Sequence, residues 1–388
     1  GLDAVFGANA YQNQNITNSE NLGERFSVGK GEWRLNWAPY IDIRLNKNKA
    51  YLGVSCGGFS SRPSSEKITP TLNISDPIRV TIGNTFLRPE FSQYGRIYYN
   101  KSNPENYSFF NLNVNSSVVF NQTVYASWFD DGGVRYAIPV NSPSPSWHSS
   151  LSTSYTIPFG FERRFKFNTS ATANYFTATS YQFQSSSMPS IDSENFNYEA
   201  LMRDFWGENS RGEKFYNGES GFLQSRTNTL SYKAYMELAY NTDYFEALAG
   251  AFASNSITHY SLDPRANMNT WNFNVVSSLT FRSQSGWEFK TKGTYYFYSG
   301  YSSGYGDPNF IWNAAISKQV GSIMLSARVS DILNQKKTLT RVTSAEYVQD
   351  TYHNTLGRYF LVGITFNFGK MNAKNNARAQ NAMWQMMF

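Results

Sequence analysis

"GRYFLVGITFNFGK", residues 357–370, places a large apolar side chain at every second position: Phe360, Val362, Ile364, Phe366 and Phe368. Leu361, Gly363, Thr365 and Asn367 stand between them. A period of two predicts an extended strand with two unlike faces. The question is what the greasy face touches in a chain that is otherwise so polar.

The alternation recurs along the chain. Leu35, Trp37, Ile41, Ile43 and Leu45 alternate with Asn36, Tyr40, Asp42 and Arg44. Phe110, Leu112, Val114, Val118 and Phe120 oppose Asn111, Asn113, Asn115 and Ser117. Trp271, Phe273, Val275, Leu279 and Phe281 oppose Asn272, Asn274, Ser278, Thr280 and Arg282. Segments 163–176, 230–241, 287–298 and 323–330 behave alike, whereas 244–254 alternates poorly and its faces stay unassigned. Strands of about 10–14 residues exceed the usual five or six. Tilted by about 40° at roughly 3.3 Å per residue, they cross a hydrocarbon layer about 25 Å thick. Aromatics close many apolar stripes, among them Trp271 with Phe281 and Trp287 with Phe297, as at membrane–water interfaces.

Composition agrees. Charged residues make up 16% of the 388 and aromatics 17%, against about 25% charged in ordinary soluble proteins. The net charge of +6 is dispersed, so no nucleic-acid footprint forms. The lone Cys56 excludes an internal disulfide, and His148, His259 and His353 lack metal-ligand spacing. No cofactor or metal site is expected. No apolar run is long enough for a transmembrane helix. A chain beginning at Gly1 without a signal peptide reads as a processed or truncated product. No G-x-S-x-G, H-E-x-x-H or P-loop appears, and Asp130-Asp131-Gly132-Gly133 is turn chemistry, so no enzyme is expected.

Connections alternate in length. Short turns at 46–49, 101–106, 158–162, 241–243, 283–286 and 319–322 interleave with mostly longer connections at 14–30, 61–90, 129–133, 183–224, 258–269, 300–307 and 334–354. That asymmetry is the signature of an outer-membrane β-barrel. It predicts fourteen antiparallel strands near 2–13, 31–45, 49–60, 91–101, 107–128, 134–157, 162–182, 225–241, 243–257, 270–282, 287–299, 308–318, 322–333 and 357–369. Residues 1–369 then form the transmembrane barrel with long extracellular loops, and 370–388 a periplasmic tail. In loop 183–224, Tyr198, Leu201, Met202, Phe205 and Trp206 have helical spacing over 196–206. They either pack the loop on itself or offer a docking surface for a surface lipoprotein.

Charges on the polar phase are candidates for a solute path: Asp42, Arg44, Arg164, Lys166, Lys233, Glu237, Glu288, Lys290, Lys292 and Arg328. On the lipid face a basic residue would cost about 2–4 kcal/mol at mid-bilayer. They pair with one another or with a plug, or they line the lumen; their basic excess leans toward anionic or polar solutes.

"IGNTFLRPEF", residues 82–91, resembles the GN-x-x-L-x-PE segment of TonB-dependent outer-membrane transporters, through Gly83, Asn84, Leu87, Pro89 and Glu90. The order "FNLNV", "DDGGVRY", long strands and "YFLVGITFNFG" is similar to the nutrient-uptake branch of that family, from about residue 30 onward. The resemblance implies a 22-stranded barrel, an N-terminal plug, a TonB-contacting box and energised uptake. Plug and box are not recognisable here, so the chain reads as a portion of such a barrel or as a plugless fourteen-stranded relative. The last strand, with Phe360, Phe366 and Phe368, resembles the signal read by the barrel assembly machinery, or is simply lipid-facing. The expected location is the outer membrane of a Gram-negative cell. The rival readings are a self-contained diffusion channel and a soluble all-β binding protein.

Overall fold

The computed structural model describes residues 1–13, 17–21, 24–28, 34–183, 191, 197–198, 201, 222–301, 307–336, 338–343, 348–353 and 356–366. The first strands are β1 (Leu2–Asn13), β2 (Thr17–Asn21), β3 (Glu24–Val28), β4 (Arg34–Lys47) and β5 (Ala50–Ser61). Next come β6 (Leu72–Asn73), β7 (Arg79–Ile82), β8 (Glu90–Asn103), β9 (Ser108–Phe120), β10 (Thr123–Phe129) and β11 (Arg135–Asn141). Then follow β12 (Ser146–Phe159), β13 (Phe165–Phe183), β14 (Phe222–Asn241), β15 (Phe245–Tyr260), β16 (Met268–Arg282) and β17 (Trp287–Ser299). The last are β18 (Asn309–Val320), β19 (Ile323–Ser330), β20 (Thr338–Thr343), β21 (Val348–His353) and β22 (Tyr359–Phe366).

Eighteen strands share one sheet. Fourteen of them form a wall in which each pairs antiparallel with the next. The order is β1, β4, β5, β8, β9, β12, then β13 through β19, and β22. The fourteen expected strands are these wall strands. Every short turn lies at one end of the wall and every long connection at the other, because antiparallel strands joined by a few residues must return beside themselves.

Two expected strands are each divided. The segment 107–128 leaves the wall after β9 and continues as β10. The segment 134–157 returns as β11 before rejoining the wall at β12. Asn121 adopts φ 52° at the first break, and the Asn141 amide holds the displaced chain by donating to the Asn121 and Arg88 carbonyls. The connections 14–30 and 334–354, expected as plain loops, carry the hairpins β2–β3 and β20–β21. The strand expected over 322–333 stops at Ser330. There Asp331 turns the chain at φ 51° and its carboxylate accepts from the Gln335 and Lys336 amides.

The wall is inverted relative to a water-soluble protein. In β17, Trp287, Phe289, Tyr295 and Phe297 are exposed, while Glu288, Lys290, Tyr296 and Tyr298 between them are sheltered. Cross-strand partners share a face, so the register carries this phase from strand to strand. It assigns β15 as well: Phe245 lies opposite Phe281 on the outer face, and Glu246 opposite Thr280 on the inner. Alanines at 247, 249, 251 and 253 occupy outer positions, so no greasy stripe marks that strand in sequence.

The main buried apolar cluster among the described residues lies at the long-loop end of the wall, most of it on strands outside the wall. Val80, Ile82, Val124, Ala126, Trp128, Tyr136, Ile138, Val140 and Tyr181 form it, with Tyr198 and Leu201 packed against it. The β10–β11 hairpin, β7 and the end of β13 build this cap, β7 pairing parallel with β11 and β10 with β13. Burial at about 25 cal/mol per Å² holds the cap together, whereas the wall relies on its backbone ladder and on an apolar solvent.

Candidate solute path

The inner face is polar and mostly uncharged. Asn111 donates to Asn100, and Asn113 donates to Asn111 at 2.6 Å. Asn168 on β13 accepts from the Thr156 hydroxyl at 3.0 Å. Tyr51 and Tyr98 hydroxyls also lie 2.8 Å apart. Gly53 makes that second contact possible, since a Cβ there would lie 2.1 Å from the Tyr98 ring.

The charges expected on this face do not converge on one point. Asp42 and Arg44 share the inner side of β4 and pair with each other, Arg44 Nη2 to Asp42 Oδ2 at 2.7 Å. Glu237 accepts from Asn168 Nδ2 at 2.7 Å and from the Tyr235 hydroxyl. Lys166 and Lys233 are exposed on the inner phase of β13 and β14. Arg328 lies on β19 with its guanidinium 6.0 Å from the Tyr359 ring centre. Arg164 occupies the turn before β13, not a wall position, and pairs with Glu162. That partner holds the Arg164 guanidinium above its ordinary range.

One ionic group was only partly foreseen. Arg282 donates through Nη2 to Glu246 and through Nε to Glu288, both at 2.9 Å. Lys290 and Lys292 continue the same face of β17, opposite Thr280 and Ser278. Glu246 escaped notice because its strand hides its phase. The available signal was its offset of one from Phe245.

The GN-x-x-L-x-PE segment sits at the rim, where β8 re-enters the wall. Gly83 permits close approach of backbone to backbone: a Cβ there would meet the Thr69 carbonyl oxygen at 1.7 Å. Asn84 is buried, donates to the Pro139 carbonyl at 2.8 Å and accepts from the Phe86 amide at 2.9 Å. Leu87 is buried. Pro89 precedes Glu90, whose carboxylate accepts from the Thr123 amide at 2.8 Å. The Thr85 amide donates to the Tyr198 hydroxyl at 3.1 Å. One segment therefore ties three long connections together. Of the expected helix over 196–206, Asn197, Tyr198 and Leu201 are described, and the Leu201 amide donates to the Asn197 carbonyl at 3.1 Å; the rest lies outside the described residues.

On the outer face, Phe360, Val362, Ile364 and Phe366 of β22 point away from the wall at 55–84% exposure. Phe368 and the 370–388 tail lie outside the described residues. A polar inner face and a greasy outer face suit a wall set in a membrane, with the buried cluster adjoining its long-loop end.

The sequence matches the outer membrane protein beta-barrel family over residues 14–206 and 205–368. The chain belongs to that family. The protein is accordingly an antiparallel β-barrel of the Gram-negative outer membrane, its outer face against lipid. No curated protein matches the sequence. Among solved structures it is similar to the copper transporter OprC, at 10% identity and a TM-score of 0.43, over 84% of this chain and 46% of that one. It is similar to the ferric enterobactin receptor PfeA of Pseudomonas aeruginosa, at 9% and 0.42, over 85% and 44%. It is also similar to the siderophore receptor PirA of Acinetobacter baumannii, at 13% and 0.38, over 94% and 56%. The chain spans about half the length of these structures.

Proposed function

We propose that the chain supplies most of the barrel of a TonB-dependent outer-membrane transporter and takes part in uptake of a nutrient. The observation that carries this reading is the polar inner face together with the packed cap at the long-loop end of the wall, which Gly83, Asn84 and Glu90 tie to the rim. An inner face lined by hydrogen-bonding amides and hydroxyls suits capture of a polar solute. The strand edges favour a larger barrel. Among the described residues β1 and β22 share no register, and Val362 on β22 at 84% is more exposed than outer residues inside the wall such as Val275 at 57%. An open sheet edge is not tolerated in hydrocarbon, so each edge takes a further strand in the membrane.

In this reading the last strand is the assembly machinery's signal, the tail 370–388 lies in the periplasm, and the plug and TonB act on the barrel from within and below. Loop 183–224 is the place for a surface lipoprotein. The lumen charges Asp42, Lys166, Lys233, Glu237, Lys290, Lys292 and Arg328 face the solute or the plug.

Uptake by cells carrying the full-length protein, measured with and without an uncoupler, tests the proposal. Energised transport falls to background when the proton gradient is collapsed. Uptake that persists unchanged would mark a self-contained diffusion channel instead.

A further inference from the structure

The charged residues described on the wall strands divide by face. Every carboxylate among them, Asp3, Asp42, Glu90, Glu237, Glu246 and Glu288, holds an inner position. The outer positions carry only basic side chains of Lys and Arg: Lys47, Lys101 and Lys318 at the short-turn end, and Arg226 at the other. Lys47 and Lys101 flank one small residue. Ala50 on β5 stands opposite Lys47 on one side and Lys101 on the other. Asn48 and Lys49 close the β4–β5 hairpin at φ 50° and 60°, as a two-residue turn requires. The Lys49 carbonyl accepts from the Ser102 amide at 3.2 Å, which sets Lys101 beside that turn. Both lysines are exposed, and neither pairs with a carboxylate among the described residues. One outer row deeper, Leu45, Leu52, Tyr99 and Leu112 line up across four strands, and the Tyr99 ring meets Phe110 at 6.1 Å.

We infer that Lys47 and Lys101 hold the phosphate of an anionic diacyl phospholipid in the periplasmic leaflet, its chains lying over Leu45, Leu52 and Tyr99. Two strand spacings put the lysine backbones about 9.6 Å apart. Their long flexible stems can bring both ammonium groups to one anion, and Ala50 leaves the space between them open. The apolar row begins two residues away, roughly 7 Å along the strand, which is where acyl chains begin below a headgroup. That adjacency commits the site to a lipid rather than to a free phosphate. Charge chooses the headgroup. Two ammonium groups without a carboxylate partner complement a net negative head, whereas a zwitterionic head would add a third cation beside them. The same end of the wall holds other cations against rings at the lipid boundary. Lys318 Nζ lies 5.0 Å from the Trp287 ring centre, and the Arg163 guanidinium lies 4.1 Å from that of Tyr107. Those cations are already engaged, Lys318 with the Ser285 carbonyl and Arg163 with the Glu105 carbonyl, so the Lys47–Lys101 pair is the anion site.

The test is titration of the full-length protein in detergent with dioleoyl phosphatidylglycerol, dioleoyl phosphatidylethanolamine and the chain-free headgroup glycerophosphoglycerol, bound lipid being counted by native mass spectrometry. The variants are Lys47→Gln with Lys101→Gln, Lys47→Arg with Lys101→Arg, and Lys233→Gln on the inner face, each checked for native, heat-modifiable mobility on a gel. The expected result is a first phosphatidylglycerol bound at least tenfold more tightly than phosphatidylethanolamine. That preference falls at least fivefold in the double Gln variant. It stays within twofold in the double Arg variant, which keeps both charges, and in Lys233→Gln. Equal affinity for the two lipids overturns the inference, and so does a preference that survives the double Gln change or falls equally in Lys233→Gln. Competition by glycerophosphoglycerol as strong as by the lipid overturns it in favour of a free anion. Should the double Gln variant fail the gel check, Lys101→Gln alone takes its place, with a twofold loss expected and an unchanged preference overturning the inference.

Discussion

Phe165 on β13 and Tyr240 on β14 stand side by side on the outer face with ring centres 4.8 Å apart. Phe159 lies 5.4 Å from Phe165 on one side. Phe245 lies 6.2 Å from Tyr240 on the other, and Phe281 a further 4.9 Å along. Five strands thus present an unbroken row of rings at the short-turn end. Trp271 stands ten residues from Phe281 on β16, roughly 25 Å across a tilted wall. The two levels bracket a hydrocarbon layer, as aromatic girdles do.

The bracketed zone sets a first expectation. Val275→Arg puts a guanidinium on the lipid face midway between the two levels, and folding into liposomes should weaken by about 2–4 kcal/mol. Asn274→Arg, one residue away on the inner face, should change folding by less than about 1 kcal/mol. Urea titration of liposome-inserted protein compares them. Equal penalties would mean the faces are wrongly assigned.

Asn84 gives a second. Asn84→Ala strands the Pro139 carbonyl and the Phe86 amide, at about 1–3 kcal/mol for buried groups left unpaired. Gly83→Ala adds a clash with the Thr69 carbonyl oxygen. Both should loosen the cap without unfolding the wall. Limited proteolysis on intact cells should then cut within 121–145, where the native protein resists.

The cap should also be alkali-labile. Burial pushes the hydroxyls of Tyr125, Tyr136 and Tyr198 above their ordinary range. Folding therefore favours their protonated forms. That contribution is fully present below about pH 10, the unfolded value, and is lost as pH rises through the higher folded values. Proteolytic cutting of the cap should increase above about pH 10 while the gel mobility of the wall is unchanged.

Arg282 bridges two carboxylates. Arg282→Leu leaves Glu246 and Glu288 facing each other, with an expected loss of about 1.5–3 kcal/mol per lost charged hydrogen bond, reduced where water enters. Adding Glu246→Gln should recover part of it. A double-mutant cycle by urea titration measures the coupling, and simple additivity would show that the bridge contributes nothing.

Much of the wall was legible because each lipid-facing strand obeys one rule. Phe273 beside Asn274, and Ile364 beside Thr365, state their faces by residue type alone. The rule fails where its physical cause is absent. In β15 alanines fill the outer positions, so Glu246 could not be phased without its neighbours. The divisions at Asn121 and Asn141 were hidden because 123–129 and 135–141 are extended apolar segments themselves, β11 being buried on both faces from Tyr136 to Val140. The inner placement of Tyr296 and Tyr298 was not legible, since tyrosine reads equally as girdle or lumen until the register fixes its side.

Spin labels placed singly at residues 273, 275, 364, 274 and 365 in a Cys56→Ser background test the two-faced wall most directly. In liposomes, labels replacing Phe273, Val275 and Ile364 should collide mainly with oxygen dissolved in the lipid. Labels replacing Asn274 and Thr365 should collide mainly with a water-soluble nickel chelate. The reverse pattern, with 273 and 364 open to the chelate and 274 and 365 open to oxygen, would contradict the account.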